Sequence, residues 1–123
     1  MIQQIVETAT ARNTEPSIKT IEQFYAFRRP LEVSEFLEAH PFLLPLLVEA
    51  YDKIVECFGP HPEVILEVVT DPEAMDGRSL FAFIQTSLSP EEALSKLDRL
   101  DQEWWLDSSA RSENSLCIHV EFA

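Results

Sequence analysis

The carboxylates that could carry chemistry in this chain are most concentrated in the segment LEVVTDPEAMDG. Asp71, Glu73 and Asp76 follow an apolar run there, as the acids of a calcium loop would. Counted from Asp71, however, the fifth position of an EF-hand is Met75 and the twelfth is Ala82, and neither side chain carries an oxygen ligand. We therefore interpret the segment as an acidic turn, in which Asp-Pro and Asp-Gly suit tight bends, with a looser Mg²⁺ or Ca²⁺ site as the alternative.

A second set of polar side chains alternates along predicted strands and would project from one sheet face. A histidine between acids on such a face could act as a general base or bind a metal ion. Phenylalanines should share the face, and mixed aromatic and polar character is typical of a partner-binding surface. A tryptophan near the end of a predicted helix could anchor a partner or form the rim of the core. The candidate binding surface consists of Glu67, Phe81, Phe83, Gln85, His119, Glu121 and Trp105.

Three runs with a period of two predict the strands that position these residues. The runs are EVILEVV at 63–69, SLFAFIQTS at 79–87 and NSLCIHVEF at 114–122. The first two are rich in β-branched and aromatic residues, and the third alternates cleanly between apolar and polar positions.

Helical spacing predicts three helices in the first half of the chain. Ser17 is a candidate N-cap for a helix over 17–29, whose final arginines would suit the negative end of the helix dipole. Pro30 suits the first turn of a second helix over 30–39. A third helix, over 44–58, is apolar around most of its circumference and must be covered on more than one side.

A fourth helix begins at the clearest local signal in the chain, SPEEALSKL. Ser89 is the predicted N-cap, Pro90 the first helical residue and Glu92 the third, which forms a capping box. The apolar side chains that follow at steps of three and four predict a stripe that faces a core; they are Ala93, Leu97, Leu100 and Trp104.

These elements predict an α+β fold in a single domain spanning 1–123. Its parts are an N-terminal arm of undecided structure at 1–16, a helical part at 17–58 and a ββαβ unit at 63–123. We expect the first two strands to form a hairpin around the acidic loop and the fourth helix to be a crossover. With the most apolar strand in the centre, the sheet is three-stranded and antiparallel, in the order 2-1-3, which is half of a ferredoxin-like sandwich.

Composition excludes some functions. The 123 residues include nine Lys and Arg against 22 Asp and Glu, a formal net charge of −13, which would repel a phosphate backbone. We therefore expect no direct nucleic-acid binding, and a basic protein becomes a candidate partner. The two glycines cannot build a phosphate loop of the usual kind, and no common nucleotide-enzyme motif occurs.

The two cysteines lack metal or redox spacing, so we expect free thiols and no cofactor. The N-terminal residues lack a basic leader followed by an apolar core, and the longest apolar stretch is too short to span a bilayer. We expect a cytoplasmic protein without membrane contact.

Three stretches resemble a group of small bacterial proteins, found mainly in cyanobacteria, that have no settled activity. The stretches are ILEVVTDPE, LFAFIQTSLSPEEALSKLDRLDQEWW and LCIHVEF, and the resemblance covers only the C-terminal half. It implies a bacterial cytoplasmic setting and assigns no catalytic residue.

The sequence thus favours an acidic, non-enzymatic interaction or regulatory domain that forms a homodimer or binds a protein partner. It assigns no catalytic and no metal-binding residue. One alternative is a small enzyme or metal-binding domain that uses the acidic and histidine side chains of the open sheet face. A further alternative is an antitoxin-like inhibitor whose acidic surface mimics a nucleic acid.

Overall fold

A computed structural model describes residues 16–70 and 77–122 of the chain. Most of the predicted N-terminal arm lies outside these residues. So do Asp71, Glu73 and Asp76, the acids of the predicted loop. The interpretation of that loop as a turn therefore stays a prediction.

The first half of the described chain is helical. Helix α1 (Ile18–Phe24) begins at Ser17, whose side chain accepts a hydrogen bond from the backbone of Thr20, as predicted for an N-cap. Helix α2 (Pro30–Ala39) starts at its proline, and helix α3 (Leu43–Phe58) ends at Gly59, which has a φ of 99°. These elements confirm the three predicted N-terminal helices, with one exception at the end of α1.

That exception is a short strand, β1 (Ala26–Phe27), where the sequence predicted a continuous helix to residue 29. Helix α1 stops at Tyr25, which has an extended backbone. The backbone N–H of Arg28 then donates to the carbonyl oxygen of Leu66 at 2.9 Å, so this segment pairs with a strand instead of continuing the helix. The prediction that Arg28 and Arg29 lie at a helix C-terminus is wrong.

The second half contains the three predicted strands and the predicted crossover. These are β2 (Val64–Thr70), β3 (Arg78–Thr86), α4 (Pro90–Leu100) and β4 (Leu116–Phe122). Between α4 and β4 the chain passes through a π-helical turn (Asp101–Trp105), a short helix α5 (Leu106–Ser108) and a 3₁₀ turn (Ser109–Ser112). The side chain of Ser89 accepts a hydrogen bond from the backbone of Glu92, which confirms the predicted cap of α4.

The sheet corrects the predicted topology. Within the described residues it has four strands in the order β1-β2-β3-β4. It is mixed, because β1 is parallel to β2 and β4 is parallel to β3, while β2 and β3 are antiparallel. The three-stranded antiparallel order 2-1-3, and with it the half ferredoxin-like arrangement, is therefore wrong. The physical reason is that β1 already occupies the edge of β2 where the last strand was expected. Helix α4 instead returns the chain beside β3, as in a βαβ unit. The α+β class holds.

The helices share one hydrophobic core with one face of the sheet. From β2 and β3 the core takes Val64, Leu66, Val68, Leu80, Ala82 and Ile84, and from β4 it takes Leu116, Ile118 and Val120. Helix α3 supplies Leu43, Leu46, Leu47, Ala50, Ile54 and Cys57. Since side chains alternate along a strand, the intervening residues point away from the helices.

Hydrogen bonds connect the segment after α4 to helix α3. The indole Nε1 of Trp104 donates to Glu49 at 2.7 Å, and the Arg111 guanidinium donates to the same carboxylate at 2.9 and 3.1 Å. These bonds, with the buried ring of Trp104, hold the π-helical turn against the core and so position the start of β4. No helix in residues 16–70 and 77–122 has the length and apolar character to cross a membrane.

A candidate protein interface on the open sheet face

The sheet has one face that the described helices do not cover, here called the open face. None of its residues belongs to the hydrophobic core, and all but Ser79 are only partly buried or exposed. Ser79, opposite Val69, is buried and donates to the carbonyl of Asn114 at 3.2 Å. The open face consists of Ala26 and Arg28 from the β1 segment, Ile65, Glu67 and Val69 from β2, Ser79, Phe81, Phe83 and Gln85 from β3, and Cys117, His119 and Glu121 from β4.

Strand register brings the predicted polar and aromatic residues together. Glu67 lies opposite Phe81, Phe83 beside His119, and Gln85 beside Glu121. The predicted residues share this face although the predicted strand order is wrong, because alternation alone decides which face a strand residue occupies. Trp105 is the exception, since its ring packs against the core beside Trp104, with 5.4 Å between the ring centroids.

Arg28 links a carboxylate on β2 to a carboxylate on β4 across the open face. One end of its guanidinium donates to Glu67 on β2 at 2.8 Å, and the other end donates to Glu121 on β4 at 2.8 Å. In between, the guanidinium carbon lies 5.8 Å from the centroid of the Phe83 ring on β3, within the range of a cation–π contact. Both ends of the guanidinium group are thus hydrogen-bonded, and the group lies over the ring of Phe83.

Two further contacts complete the ion-pair cluster. Arg29 also binds the Glu67 carboxylate, so this glutamate accepts from two guanidinium groups. The amide of Gln85 donates to Glu121 at 2.6 Å. Hydrogen bonds from Arg28, and secondarily from Gln85, hold the pKa of the Glu121 carboxyl below its usual value. The same pairing raises the pKa of Arg28, chiefly through Glu121 and then Glu67.

Phe81 and Phe83 form the apolar centre of the open face. Their rings are stacked with centroids 5.5 Å apart and an interplanar angle of 29°. Both residues are partly buried although no described helix lies over them. A pair of rings bordered by charged groups combines the apolar centre and polar rim that protein interfaces share.

His119 faces the outer edge of β4 and takes no part in the ion-pair cluster described above. Leu80 donates its N–H to the carbonyl of Ser115 at 2.8 Å, so the alternating ladder directs the N–H of Val120 away from β3. The Nδ1 atom of His119 accepts that N–H at 2.9 Å. The imidazole therefore satisfies a backbone group at the sheet edge, which is a structural role.

This geometry limits the chemistry of the face. Glu67 and Glu121 both accept hydrogen bonds from Arg28, so their oxygen atoms are occupied by donors and are not positioned for a proton transfer. Within the described ranges, no group of three or more His, Cys, Asp or Glu side chains is placed to hold a metal ion. The arrangement is suited to recognition of another surface.

Sequence reasoning missed Arg28 and Arg29 as members of this cluster, because it assigned them to a helix end. A usable signal was present in the order Arg28-Arg29-Pro30. A residue that precedes proline is disfavoured in the helical region, which favours an end of the helix before Arg29.

Comparisons of this chain with protein-family models, with curated proteins and with solved structures give no match. The bacterial resemblance inferred from the sequence therefore stays a prediction.

Proposed function

We propose that this protein is an interaction domain that self-associates by packing the open faces of two copies against each other. The observation that carries the proposal is the stacked pair Phe81 and Phe83, which lies on a sheet face that no described helix covers. Burying this pair against a second copy would remove apolar surface from water, the main driving force of association.

Local charge favours a second copy as the occupant of this face. The chain carries a formal net charge of −13, so two copies repel each other over most of their surfaces. On the open face, however, Arg28 and Arg29 offset Glu67 and Glu121. A basic partner would be attracted more strongly by the acidic remainder of the surface than by this patch, where positive and negative charges offset each other.

The size of the face indicates a dimer that dissociates on dilution. Strands β1 to β4 contain 2, 7, 9 and 7 residues, and at about 3.3 Å per residue and 4.8 Å per strand the face covers about 400 Å². Two such faces bury about 800 Å² together, which is typical of weak and transient association. Because Arg28 is already ordered by its two ion pairs, it loses little conformational freedom when a second copy binds.

Edge-to-edge pairing through β4 has less support as a mode of self-association. The N–H of Val120 points outward from this edge, but it is already bound by His119. A second copy would have to displace that hydrogen bond before a strand ladder could form.

Light scattering after size exclusion tests the proposal. We expect the mass of the wild-type protein to rise from the 14.1 kDa of one chain towards twice that value as the loaded concentration rises from micromolar to millimolar. Phe81→Glu places a charge in the apolar centre of the open face and should keep the protein monomeric.

A matched control is Leu94→Glu, which removes an exposed apolar side chain from α4 and makes the same change in net charge. It should associate like the wild type. Circular dichroism of both variants establishes that they are folded. A wild-type protein that stays at 14.1 kDa throughout, or equal effects of the two substitutions, would contradict the proposal.

The alternative of a small enzyme or metal-binding domain has less support, because the carboxylates it requires are bound by arginines. Melting temperatures measured with Mg²⁺, Ca²⁺, Mn²⁺ and Zn²⁺ test it directly, since an ion that binds the native state must raise the melting temperature.

A further inference from the structure

A depression of about 430 Å³ lies at one end of the sheet, where the end of α1, the middle of α3 and the chain before β2 meet. It borders the open face at Ala26 and beside Gln85, whose N–H donates to the carbonyl of Glu63. Its lining combines aromatic and acidic side chains, which the functions considered above do not use. The lining residues that matter here are Glu22, Phe24, Tyr25, Tyr51 and Glu63.

Aromatic rings form the wall of this depression. The rings of Phe24 and Tyr51 lie with centroids 5.0 Å apart, and Tyr25 meets Tyr51 edge-on at 5.7 Å. Tyr25 is fixed in place, since it is buried and its hydroxyl donates to the carbonyl of Leu47 at 2.7 Å. Phe24 lines the depression and leaves 37% of its surface exposed, so its ring can be reached by a ligand.

Two carboxylates also line the depression, together with the imidazole of His61. Glu22 and Glu63 are both exposed, and neither forms an ion pair with another residue in the described parts of the chain. This distinguishes them from Glu67 and Glu121, whose charges are already satisfied by arginines.

We propose that this depression binds an organic cation, specifically the guanidinium or ammonium side chain of a basic protein. Aromatic faces attract a cation through the ring quadrupole, and the two carboxylates can accept its N–H donors. The chain's net charge of −13 would draw a basic partner towards the surface and raise the rate of encounter. The inference does not depend on self-association through the open face.

The test uses the full chain and Nα-acetylarginine amide as the probe, with titration followed by calorimetry and by backbone NMR shifts. We expect weak binding, with shifts concentrated at Phe24, Tyr51 and Glu63. The double variant Glu22→Gln/Glu63→Gln should bind roughly tenfold more weakly, since a tenfold change corresponds to the loss of two modest ion pairs. Phe24→Leu keeps an apolar side chain but removes the π face, and should weaken binding roughly threefold.

The matched control is Glu91→Gln/Glu92→Gln, which makes the same change in net charge beside a second depression without aromatic rings. Gln at position 92 keeps the backbone N–H that Ser89 accepts and a side-chain oxygen that can accept the Ser89 hydroxyl. This control should bind the probe as the wild type does.

Three results would overturn the inference. The first is that the control variant and the Glu22→Gln/Glu63→Gln variant weaken probe binding equally, which would show that overall charge alone attracts the probe. The second is equal binding of neutral Nα-acetylcitrulline amide. The third is an absence of binding at millimolar probe. A monomeric protein that still binds the probe would contradict the proposed self-association but leave this inference standing.

Discussion

Arg28 and Glu121 are joined by a hydrogen bond of 2.8 Å although they lie 93 positions apart in the chain. Arg28 follows β1 at one edge of the sheet, and Glu121 belongs to β4 at the other edge. The bond is possible because the guanidinium group lies over the ring of Phe83 on β3, where the side chain of Glu121 reaches it from β4. One side chain thus links the first and last strands of the sheet and organises the surface proposed to bind a second copy.

Replacing Arg28 should destabilise the fold more than replacing an arginine of an isolated surface pair. Arg28→Gln leaves Glu121 without its arginine and leaves Glu67, whose side chain is only 16% exposed, with Arg29 alone. The control, Arg99→Gln, makes the same charge change in an exposed helical pair with Glu103. Urea unfolding should give a lower free energy of unfolding for Arg28→Gln. Equal values would show that the cluster contributes no more than a simple surface pair.

The contribution of this cluster should depend on pH in a defined direction. Arg28, and then Gln85, lower the pKa of Glu121 in the folded state. A depressed folded pKa stabilises the protein fully above the unfolded value of about 4.3, and this stabilisation is lost as the pH falls through the folded value. The difference in unfolding free energy between wild type and Arg28→Gln should therefore shrink as the pH is lowered from neutral to acid. A constant difference would contradict this account of Glu121.

Truncation of two adjacent residues of β2 should lower the free energy of unfolding by clearly different amounts. Leu66 is fully buried against the helices, whereas Ile65 lies on the open face and is only partly buried. Leu66→Ala should lower the free energy of unfolding by about 2–5 kcal/mol, through lost burial and the cavity left behind. Ile65→Ala should lower the free energy of unfolding by clearly less. Chemical unfolding of dilute, monomeric protein measures both values. A reversed order would mean that the two sheet faces have been assigned the wrong way round.

The cap of α4 should contribute measurably to stability. The hydroxyl of Ser89 accepts the backbone N–H of Glu92, so Ser89→Ala should lower the unfolding free energy by about 1 kcal/mol. Ser95→Ala, at an exposed position within the same helix, provides the control and should be neutral or slightly stabilising. Thermal unfolding of both variants measures the difference. A Ser89 variant as stable as the Ser95 variant would show that the cap is dispensable.

Local signals predicted most elements of the fold, because their causes lie within a few residues. The cap at Ser89, the proline at Pro30 and the alternation from Leu116 to Phe122 each specify an element directly. Alternation also placed Phe83 and His119 on one face without any knowledge of strand order.

The strand order was not predictable by the same means. It depends on β1, which has only two residues and no period of its own. Its formation rests on pairing of Ala26 and Phe27 with Ile65 and Leu66, nearly 40 positions away. Pro30 gave a local signal against a helix end at Arg28, but the partners of Arg28 could not be predicted, since Glu67 and Glu121 are brought close only by the completed sheet.

The central claim is that two copies associate through their open faces, and an NMR dilution series tests it most directly. As the protein is diluted from millimolar to low micromolar, we expect the backbone signals of Phe81, Phe83 and Glu121 to shift with a single dissociation constant. Signals of Leu94 and the rest of α4 should remain unchanged. Shifts confined to the helices, or spectra that do not change with concentration, would contradict the claim.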